Sequence, residues 1–488
     1  MTDRVLELLR SRPELAELAA FPFDFDVERA YHVEAVHLAS GAELEPIAGD
    51  ATGGTYFLCG GTAVLYASSE GDAVLIADSV TEALEMLVRL PGWCEGLSAG
   101  LDEEGLRAAV RAGDAEAREE FAPELDAQRA ALIEGLGLPE RPLTELFARS
   151  ESAAQRTEPD HLLLNSAELC AYRLSEEYRV CLRDVVLGPG RAALGRLRSG
   201  DVGAREETDA DPVLRAGVLR AAWEDRRDDD LPLLRRLLER EDAERGESYE
   251  ERLVAAALVA AHGRDEDVAL LRAATSGRVT DAVSAVEWAR EREAKGPDAF
   301  TWVELARRQG RSAHARVELI RILDDTGPQA DRLRALSRAL ERLGEHAQAA
   351  RAQFNLLSLQ DTSRDRAVEA YVLARVERAR GDLVAAGRAL ERARAAVGIG
   401  GGDGGGRGRG RGVPDDTVAQ WHRRGLGRHI TEQHLELVLA AAESGDAALA
   451  RATMEHARAL LDRIGKESAK ALTPLSGRAA WAVAAHNV

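Results

Sequence analysis

The sequence predicts an acidic α+β N-terminal domain, an antiparallel meander with helices, followed by an all-α region of helical repeats that forms a solenoid. Three observations predict this. Short β-type runs occur between His37 and Trp93, amphipathic helical spacing prevails from about Leu101 onward, and aromatic residues make up only 4% of the 488 residues. Because Ala and Leu dominate, closely packed helices are favoured over large sheets, and the chain is expected to be predominantly helical.

Three consecutive runs carry the β-type pattern, namely Thr55–Cys59, Thr62–Ala67 and Asp72–Ala77. They are rich in Val, Leu, Ile, Tyr and Phe. The breaks between them are Gly60-Gly61 and the segment 68–71, which contains Ser and Gly. Short connections of this type favour antiparallel hairpins, because their central residues often take positive φ. We therefore predict a three-stranded antiparallel meander.

One amphipathic helix follows the predicted strands. Ser79 stands three residues before Glu82, as in a capping box, and apolar residues then recur at helical spacing until Pro91 ends the helix. We expect this helix to cover one face of the sheet.

The turn and core residues of this region follow a known arrangement. They are Ile47-Ala48-Gly49-Asp50, Gly53-Gly54, Tyr56-Phe57-Leu58, Val64-Leu65-Tyr66, Leu75-Ile76-Ala77 and the helix from Ser79 to Leu90. In this order, about the first 95 residues resemble the SUKH superfamily, whose bacterial members are often immunity proteins that bind and neutralise toxins. The chain lacks the Trp- or Pro-rich opening of that family. The resemblance implies a protein-binding role for this part.

The negative charge is concentrated in the same part of the chain. Residues 1–150 contain 29 Asp and Glu against 11 Arg, a balance of −18, whereas the remaining 338 residues carry 55 acidic and 53 basic side chains, a balance of −2. A localised negative field speeds encounter with a basic surface and disfavours nucleic acid and anionic membranes. The field fits an inhibitor of a basic toxin domain. The alternative is a solvated acidic surface that serves solubility.

A repeat is visible in the second half. Each of four glycines stands between two amphipathic helices, and each has Ala five residues later: Gly310 and Ala315, Gly344 and Ala349, Gly381 and Ala386, and Gly445 and Ala450. The first two intervals are 34 and 37 residues. This period, with Leu336, Leu373 and Leu437 eight residues before their glycines, resembles tetratricopeptide repeats. Upstream helix pairs with looser spacing resemble HEAT-like hairpins, and together they predict an α-solenoid.

The predicted organisation has five parts. Residues 1–150 form the SUKH-like domain, 151–212 a helical bridge and linker with a polar break at Gly200 to Pro212, and 213–396 the solenoid repeats. Residues 397–414 form a flexible Gly/Arg-rich loop, and 415–488 a C-terminal repeat and cap. The Arg-Gly alternation at Arg407–Arg411 has RNA contact as its alternative, but three arginines in an acidic chain favour an inert loop.

Catalytic and metal-binding patterns are weak. Ser98 lies in a Gly-x-Ser-x-Gly pattern, but it follows a helix rather than a core strand, so a turn is favoured over a serine hydrolase. His429 and His434 are five residues apart, which puts them on different helix faces. The acids Asp228–Asp230 precede a predicted helix and favour a cap. We expect no enzymatic activity, no cofactor and no metal.

The cysteines and the start of the chain bear on localisation. The four cysteines form neither a CxxC pair nor a dense cluster, and the charged N-terminal residues lack the apolar core of a signal peptide. No apolar run approaches the about 18 residues that span a bilayer. We expect reduced thiols, a cytoplasmic location and no membrane contact.

The sequence thus predicts a non-enzymatic protein-binding protein, with a SUKH-type immunity protein as the favoured interpretation. The alternative is a helical-repeat scaffold or regulatory adaptor that assembles a bacterial protein complex. Candidate contact residues flank the hairpin turns or follow the helix: Asp50, Tyr56, Glu70, Asp72 and Trp93. Their alternative roles are turn formation for the acids and core packing for the two aromatic residues.

Overall fold

A computed structural model of the protein describes residues 3–90, 102–243, 249–397, 421 and 425–485. The chain is predominantly helical, with 22 α-helices in the described ranges and a small antiparallel sheet region near the N-terminus. It divides into two compact units, Met1–Glu318 and Leu319–Val488. The predicted bridge and linker, 151–212, fall within the first unit.

The predicted meander is present and has one strand more than predicted. Strands β2 (Leu44–Gly49), β3 (Thr55–Cys59), β4 (Ala63–Ala67) and β5 (Ala73–Ala77) pair antiparallel in that order. The turn glycines Gly60, Gly61 and Gly71 have φ of +57°, +78° and +85°, as the short hairpin connections require. A separate two-stranded sheet pairs β1 (Val36–Leu38) with β6 (Leu163–Asn165).

Both faces of the four-stranded sheet are buried. Helix α3 (Val80–Arg89) packs on one face, where its side chains join a core with Tyr56, Val64 and Ile76. Alternate strand residues, including Phe57 and Leu65, face a second cluster that contains Leu163. The hydroxyl of Ser79 accepts a hydrogen bond from the backbone N–H of Glu82, which confirms the predicted helix start. The prediction that this helix covers one face of the sheet is also confirmed.

Helices make up most of the rest of the first unit. They are α1 (Arg4–Ser11), α2 (Pro13–Ala20), α4 (Glu103–Glu120), α5 (Leu125–Leu136), α6 (Leu143–Ala154), α7 (Leu182–Arg198), α8 (Val202–Ala210), α9 (Pro212–Glu224), α10 (Leu231–Ala243), α11 (Tyr249–Ala260), α12 (Val268–Ala274), α13 (Ala282–Lys295) and α14 (Ala299–Arg308). The predicted polar break at Gly200 to Pro212 is in fact mostly helical, since Asp201 caps α8 and Asp211 caps α9. Both carboxylates accept backbone N–H groups, which explains why acids begin these helices.

The remaining helices follow in sequence, and several successive pairs contact each other. They are α15 (Ser312–Asp324), α16 (Ala330–Arg342), α17 (His346–Ser358), α18 (Ser363–Arg380), α19 (Leu383–Ala396), α20 (Leu426–Glu443), α21 (Ala447–Leu461) and α22 (Lys466–Ala485).

The four repeat glycines lie in the turns between helices, as predicted. Their φ values lie between +73° and +92°, a backbone conformation that glycine adopts without strain. The alanines five residues later are at most 1% exposed, and the three leucines eight residues before a glycine are at most 2% exposed. The sequence period therefore corresponds to a recurring helix–turn–helix geometry with a small residue at the packed position.

Two glycines let α7 and α9 approach closely. A Cβ added to Gly190 would lie 2.3 Å from the carbonyl carbon and oxygen of Gly217, whereas one added to Gly217 would lie 3.4 Å from the nearest atom, the Cα of Gly190. The contact is therefore asymmetric, and only one of the two positions excludes a side chain.

We expect Gly190→Ala to lower the free energy of unfolding by about 2 kcal/mol, because the methyl group would collide with backbone atoms that can only move with their helix. Gly217→Ala is the matched control. It should stay within about 1 kcal/mol of the wild type, since its new contact is ordinary and alanine favours helix over glycine. Urea denaturation of both variants measures the difference, and equal losses would contradict the asymmetry.

Three predicted features lie outside the described residues: Trp93, the Gly96–Gly100 pattern with Ser98, and the Gly/Arg-rich loop except for its first residue, Val397. Within the described part of the chain, no helix combines the length and the apolar character needed to cross a membrane.

Candidate partner-binding surface

Asp50 organises the turn between β2 and β3. Its Oδ1 accepts the backbone N–H groups of Thr52 and Gly54, each at 2.8 Å, and its Oδ2 accepts the Tyr66 hydroxyl at 2.6 Å. Burial raises the pKa of Asp50, but these hydrogen bonds outweigh it and hold the pKa below its ordinary value. The residue is 6% exposed, so its carboxylate serves the turn.

Tyr56 lies in the core of the first unit and is 1% exposed. Its ring packs against Phe25 and Tyr66, with centroids 5.1 Å and 5.0 Å apart. Tyr56 therefore packs in the core, which is the alternative role that the sequence allows for this residue.

Glu70 and Asp72 lie on the surface at the turn between β4 and β5. Arg173 links them to the segment after β6, since its Nε donates to the Asp72 carboxylate at 3.0 Å and its terminal nitrogen to the Glu70 carbonyl oxygen at 2.8 Å. The charge of Asp72 is therefore compensated within the protein. The structure brings these two predicted residues together at one turn, and Trp93 is outside the described residues.

A hydrogen-bonded chain of side chains lies where β3 meets the segment after β6. The ring nitrogens of His32 are 2.9 Å from the Thr55 hydroxyl and 2.8 Å from the Tyr172 hydroxyl, and Tyr172 donates to Glu34 at 3.0 Å. Burial lowers the pKa of His32. Because both ring nitrogens of His32 are hydrogen-bonded, this network of side chains links β3 to the segment after β6.

The histidines and acids considered as metal ligands are separated. His434 is 1% exposed and bonds through Nδ1 to the Ile430 carbonyl oxygen at 2.8 Å, whereas His429 is half exposed. Asp230 pairs with Arg198 at 2.6 Å. Across the described ranges, no group of three or more His, Cys, Asp or Glu residues is arranged to hold a metal ion.

Phe21 and Phe121 form an exposed aromatic pair that sequence reasoning missed. Their ring centroids are 5.9 Å apart, and the two residues are 52% and 48% exposed. Phe21 follows α2, and Phe121 ends α4, 100 positions later in the chain. Exposed aromatic rings in contact with each other are common anchors in protein interfaces.

No protein-family model, curated protein or solved structure matches this chain.

Four exposed carboxylates lie around Phe121 in the chain: Glu116, Glu119, Glu120 and Glu124. Within the described ranges none of them takes part in an ion pair, while the neighbouring Arg118 is engaged by Asp126 at 2.8 Å. We call the two phenylalanines and these four acids the acidic aromatic patch. Its charge is uncompensated, unlike that of Asp72.

The position of these acids is unfavourable for the helix itself. Glu116, Glu119 and Glu120 lie in the C-terminal part of α4, where the helix dipole is negative, and they also repel one another. Intrinsic helix stability therefore does not account for them.

Proposed function

We propose that the protein binds another protein through its first unit, with the acidic aromatic patch as the contact surface and a basic protein as the partner. An immunity protein of the SUKH type, located in the cytoplasm and neutralising a basic toxin domain without catalysis of its own, is the specific form of this proposal. The observation that carries it is the exposed Phe21–Phe121 pair, together with four exposed, unpaired carboxylates within five residues of Phe121 in the chain.

The charge of the whole region supports the choice of a basic partner. Nearly all of the net charge of −20 belongs to residues 1–150. Long-range attraction raises the association rate with a basic surface, and exposed aromatic side chains supply the short-range apolar contact. Glu70 and Asp72 add to this field, although Arg173 offsets the charge of Asp72.

The partner to test first is the protein encoded beside the gene for this chain, because an immunity protein has to be made together with its toxin. We expect the full chain to bind that protein and to protect cells that express it. Replacing Glu119, Glu120 and Glu124 with Gln should raise the Kd at least about tenfold at low salt, and less at 0.5 M salt, because exposed charges are then screened. Phe121→Ala should raise the Kd by a similar factor at both salt concentrations.

Glu103→Gln/Glu104→Gln is the matched control, since it removes exposed acids from the opposite end of the same helix. It should leave the Kd within about twofold. Variants at the two ends of α4 should also change the stability of the protein in opposite directions, because acids are unfavourable at a helix C-terminus and favourable at its N-terminus. Glu119→Gln/Glu120→Gln should raise the free energy of unfolding by about 0.5–1 kcal/mol, and the control should lower it by a similar amount. Equal Kd values for both sets of variants would exclude the patch as the contact surface.

A second candidate function follows from the recurring helix–turn–helix geometry of the repeats. Stacked hairpins of this kind form α-solenoids, which present extended surfaces and often serve as scaffolds or adaptors. If the repeats of 319–488 capture a cellular protein while variants of the acidic aromatic patch keep full affinity, the scaffold function is favoured. Protection from a toxin that depends on Phe121 favours the immunity function.

A further inference from the structure

A cleft lies among four helices of the first unit, apart from the acidic aromatic patch. Its walls come from α9, α11, the end of α13 and the start of α14, and its empty space, part of it open to solvent, amounts to about 470 Å³. The side chains that line the cleft include Arg220, Trp223, Glu250, Arg292 and Trp302.

Arg220 is the unusual feature of this cleft. The residue is 8% exposed, yet among the described residues its guanidinium makes no hydrogen bond and no ion pair. Burial lowers the pKa of Arg220, and the nearby Glu251 and Glu250 oppose that effect through space. The guanidinium therefore has unused hydrogen-bonding capacity at the wall of the cleft, where it can bind an anion.

The carboxylates around Arg220 are already engaged by other arginines. Glu251 pairs with Arg308 at 3.0 Å, and Glu250 pairs with Arg292. Glu224, at the rim, pairs with Arg191 at 2.7 Å. With these pairs formed, Arg220 is the one charged side chain of the cleft lining without a direct ion-pair partner among the described residues. One guanidinium fork matches one carboxylate in geometry and in charge, whereas a phosphate dianion calls for further cations.

Two indole rings define the rest of the recognition surface. Trp223 lies one turn after Arg220 on α9, and Trp302 lies in the first turn of α14; both are half-buried. Val254 adds an apolar floor, being 4% exposed. Flat aromatic side chains favour flat apolar groups, because offset and edge-on ring contacts bury the most surface.

We propose that this cleft is a binding site for a small organic carboxylate with a flat apolar body, whose carboxylate pairs with Arg220 and whose body contacts Trp223 and Trp302. This site is independent of the protein-binding function proposed above. A negative result for protein binding therefore does not count against ligand binding in the cleft, and a negative result for ligand binding does not count against protein binding.

The test uses benzoate as the probe and the full chain in titration calorimetry. We expect saturable one-site binding, with a Kd on the order of 1 mM because the probe is small. Benzamide, which has the same shape without the charge, should bind at least about tenfold more weakly, as should inorganic phosphate. Benzoate should also raise the Tm, since a ligand that binds only the folded state stabilises it.

Four variants test the assignment of the cleft as a carboxylate-binding site. Arg220→Gln should raise the Kd for benzoate at least about tenfold, and Arg220→Lys should give an intermediate value, because it keeps the charge without the planar fork. Arg307→Gln on α14 removes an exposed arginine that pairs with Glu304 outside the cleft, and it should leave the Kd unchanged. Trp302→Leu keeps Arg220 in place and should weaken benzoate binding more than acetate binding.

Three results would overturn the proposal: wild-type protein that shows no saturable benzoate binding, benzamide or phosphate that binds as tightly as benzoate, or Arg220→Gln protein that retains the wild-type Kd. If Arg220→Gln does not fold, the comparison of Trp302→Leu with Arg307→Gln decides. Unchanged benzoate affinity in Trp302→Leu then counts against the site.

Discussion

Replacing Arg215 with Met should lower the free energy of unfolding by about 3–5 kcal/mol, the loss expected when one partner of a buried ion pair is removed. Arg215 on α9 and Glu241 on α10 both have fully buried side chains, and the Arg215 Nε donates to a Glu241 oxygen at 2.6 Å. The same guanidinium donates to the carbonyl oxygens of Thr208 and Asp209 at 3.1 Å and 3.2 Å. It therefore ties the end of α8 to α9 and α10.

Methionine fills most of the volume of Arg215 but neutralises no charge, so the Glu241 carboxylate stays buried without the guanidinium that offsets it. Chemical denaturation, read as the shift of the transition midpoint at constant slope, measures the loss. The double variant Arg215→Met/Glu241→Met should recover most of it, because two apolar side chains can replace a buried ion pair with little net change.

Arg196→Met is the control at the surface. Arg196 pairs with Asp201 at 2.7 Å and with Glu207 at 2.8 Å, but its side chain is 45% exposed. Its loss should be far less destabilising than that of Arg215, as is usual for exposed ion pairs. If Arg196→Met were as destabilising as Arg215→Met, or if the double variant were as unstable as the single one, burial would not be the cause of the effect.

Local patterns predict the elements that local physics determines. The hairpin turns at Gly60-Gly61 and Gly71 need positive φ, and Ser79 supplies a hydrogen-bond acceptor for the first turn of its helix. These features are encoded within a few residues, so the meander and the first helix after it follow from the sequence. The repeat glycines are predictable for the same reason, because each ends a helix in its own turn.

Two of the strands that the sequence does not reveal, β1 and β6, pair with each other across a long stretch of the chain. β6 has three residues and pairs with β1, and their registered residues Leu163 and Leu38 are more than 120 positions apart in the chain. β2 contains Pro46 and a register shift beside it, which weaken the strand pattern. β1 and β6 cannot be recognised without knowing the strand that each joins, whereas β2 pairs with its neighbour β3 and is obscured by its own irregularity.

The candidate sites are unpredictable for a related reason. Phe21 and Phe121 come from separate helix ends, and Trp223 and Trp302 come from helices that meet only in the fold. The mostly apolar sequence of α9 is a general sign of burial, but it does not show that Arg215 and Arg220 are buried while Arg196 in the more charged helix α7 is exposed. An arginine in such a helix is ordinarily a solvated residue, and only packing distinguishes the exceptions.

Lowering the pH should destabilise the protein through His434. This histidine of α20 is 1% exposed, and its Nδ1–H donates to the Ile430 carbonyl oxygen at 2.8 Å. Burial lowers its pKa from 6.5 to about 4; the hydrogen bond opposes the shift, and the nearby Arg394 and His456 add to it. The folded protein therefore takes up this proton only near pH 4, whereas the unfolded chain takes it up near pH 6.5.

Because the pKa of His434 is lower in the folded protein than in the unfolded chain, acid destabilises the fold. The stability that neutral His434 contributes is fully present above pH 6.5 and is lost as the pH falls toward 4, because the unfolded chain binds the proton first. A shift of this size corresponds to about 3 kcal/mol. Denaturation at pH 7 and pH 4 should therefore show a loss about 3 kcal/mol larger in the wild type than in His434→Gln, which keeps a donor for Ile430 but cannot titrate.

Carboxylates also take up protons over this range, but they do so equally in the wild type and the variant, so the difference isolates the histidine. His429→Gln, on the same helix but with a half-exposed ring, is the control. If burial of the His434 ring is the cause, the wild-type dependence on pH should persist in His429→Gln. Parallel stability curves for wild type and His434→Gln would mean that the His434 ring is protonated without cost in the folded state, and that its burial places no constraint on the second unit.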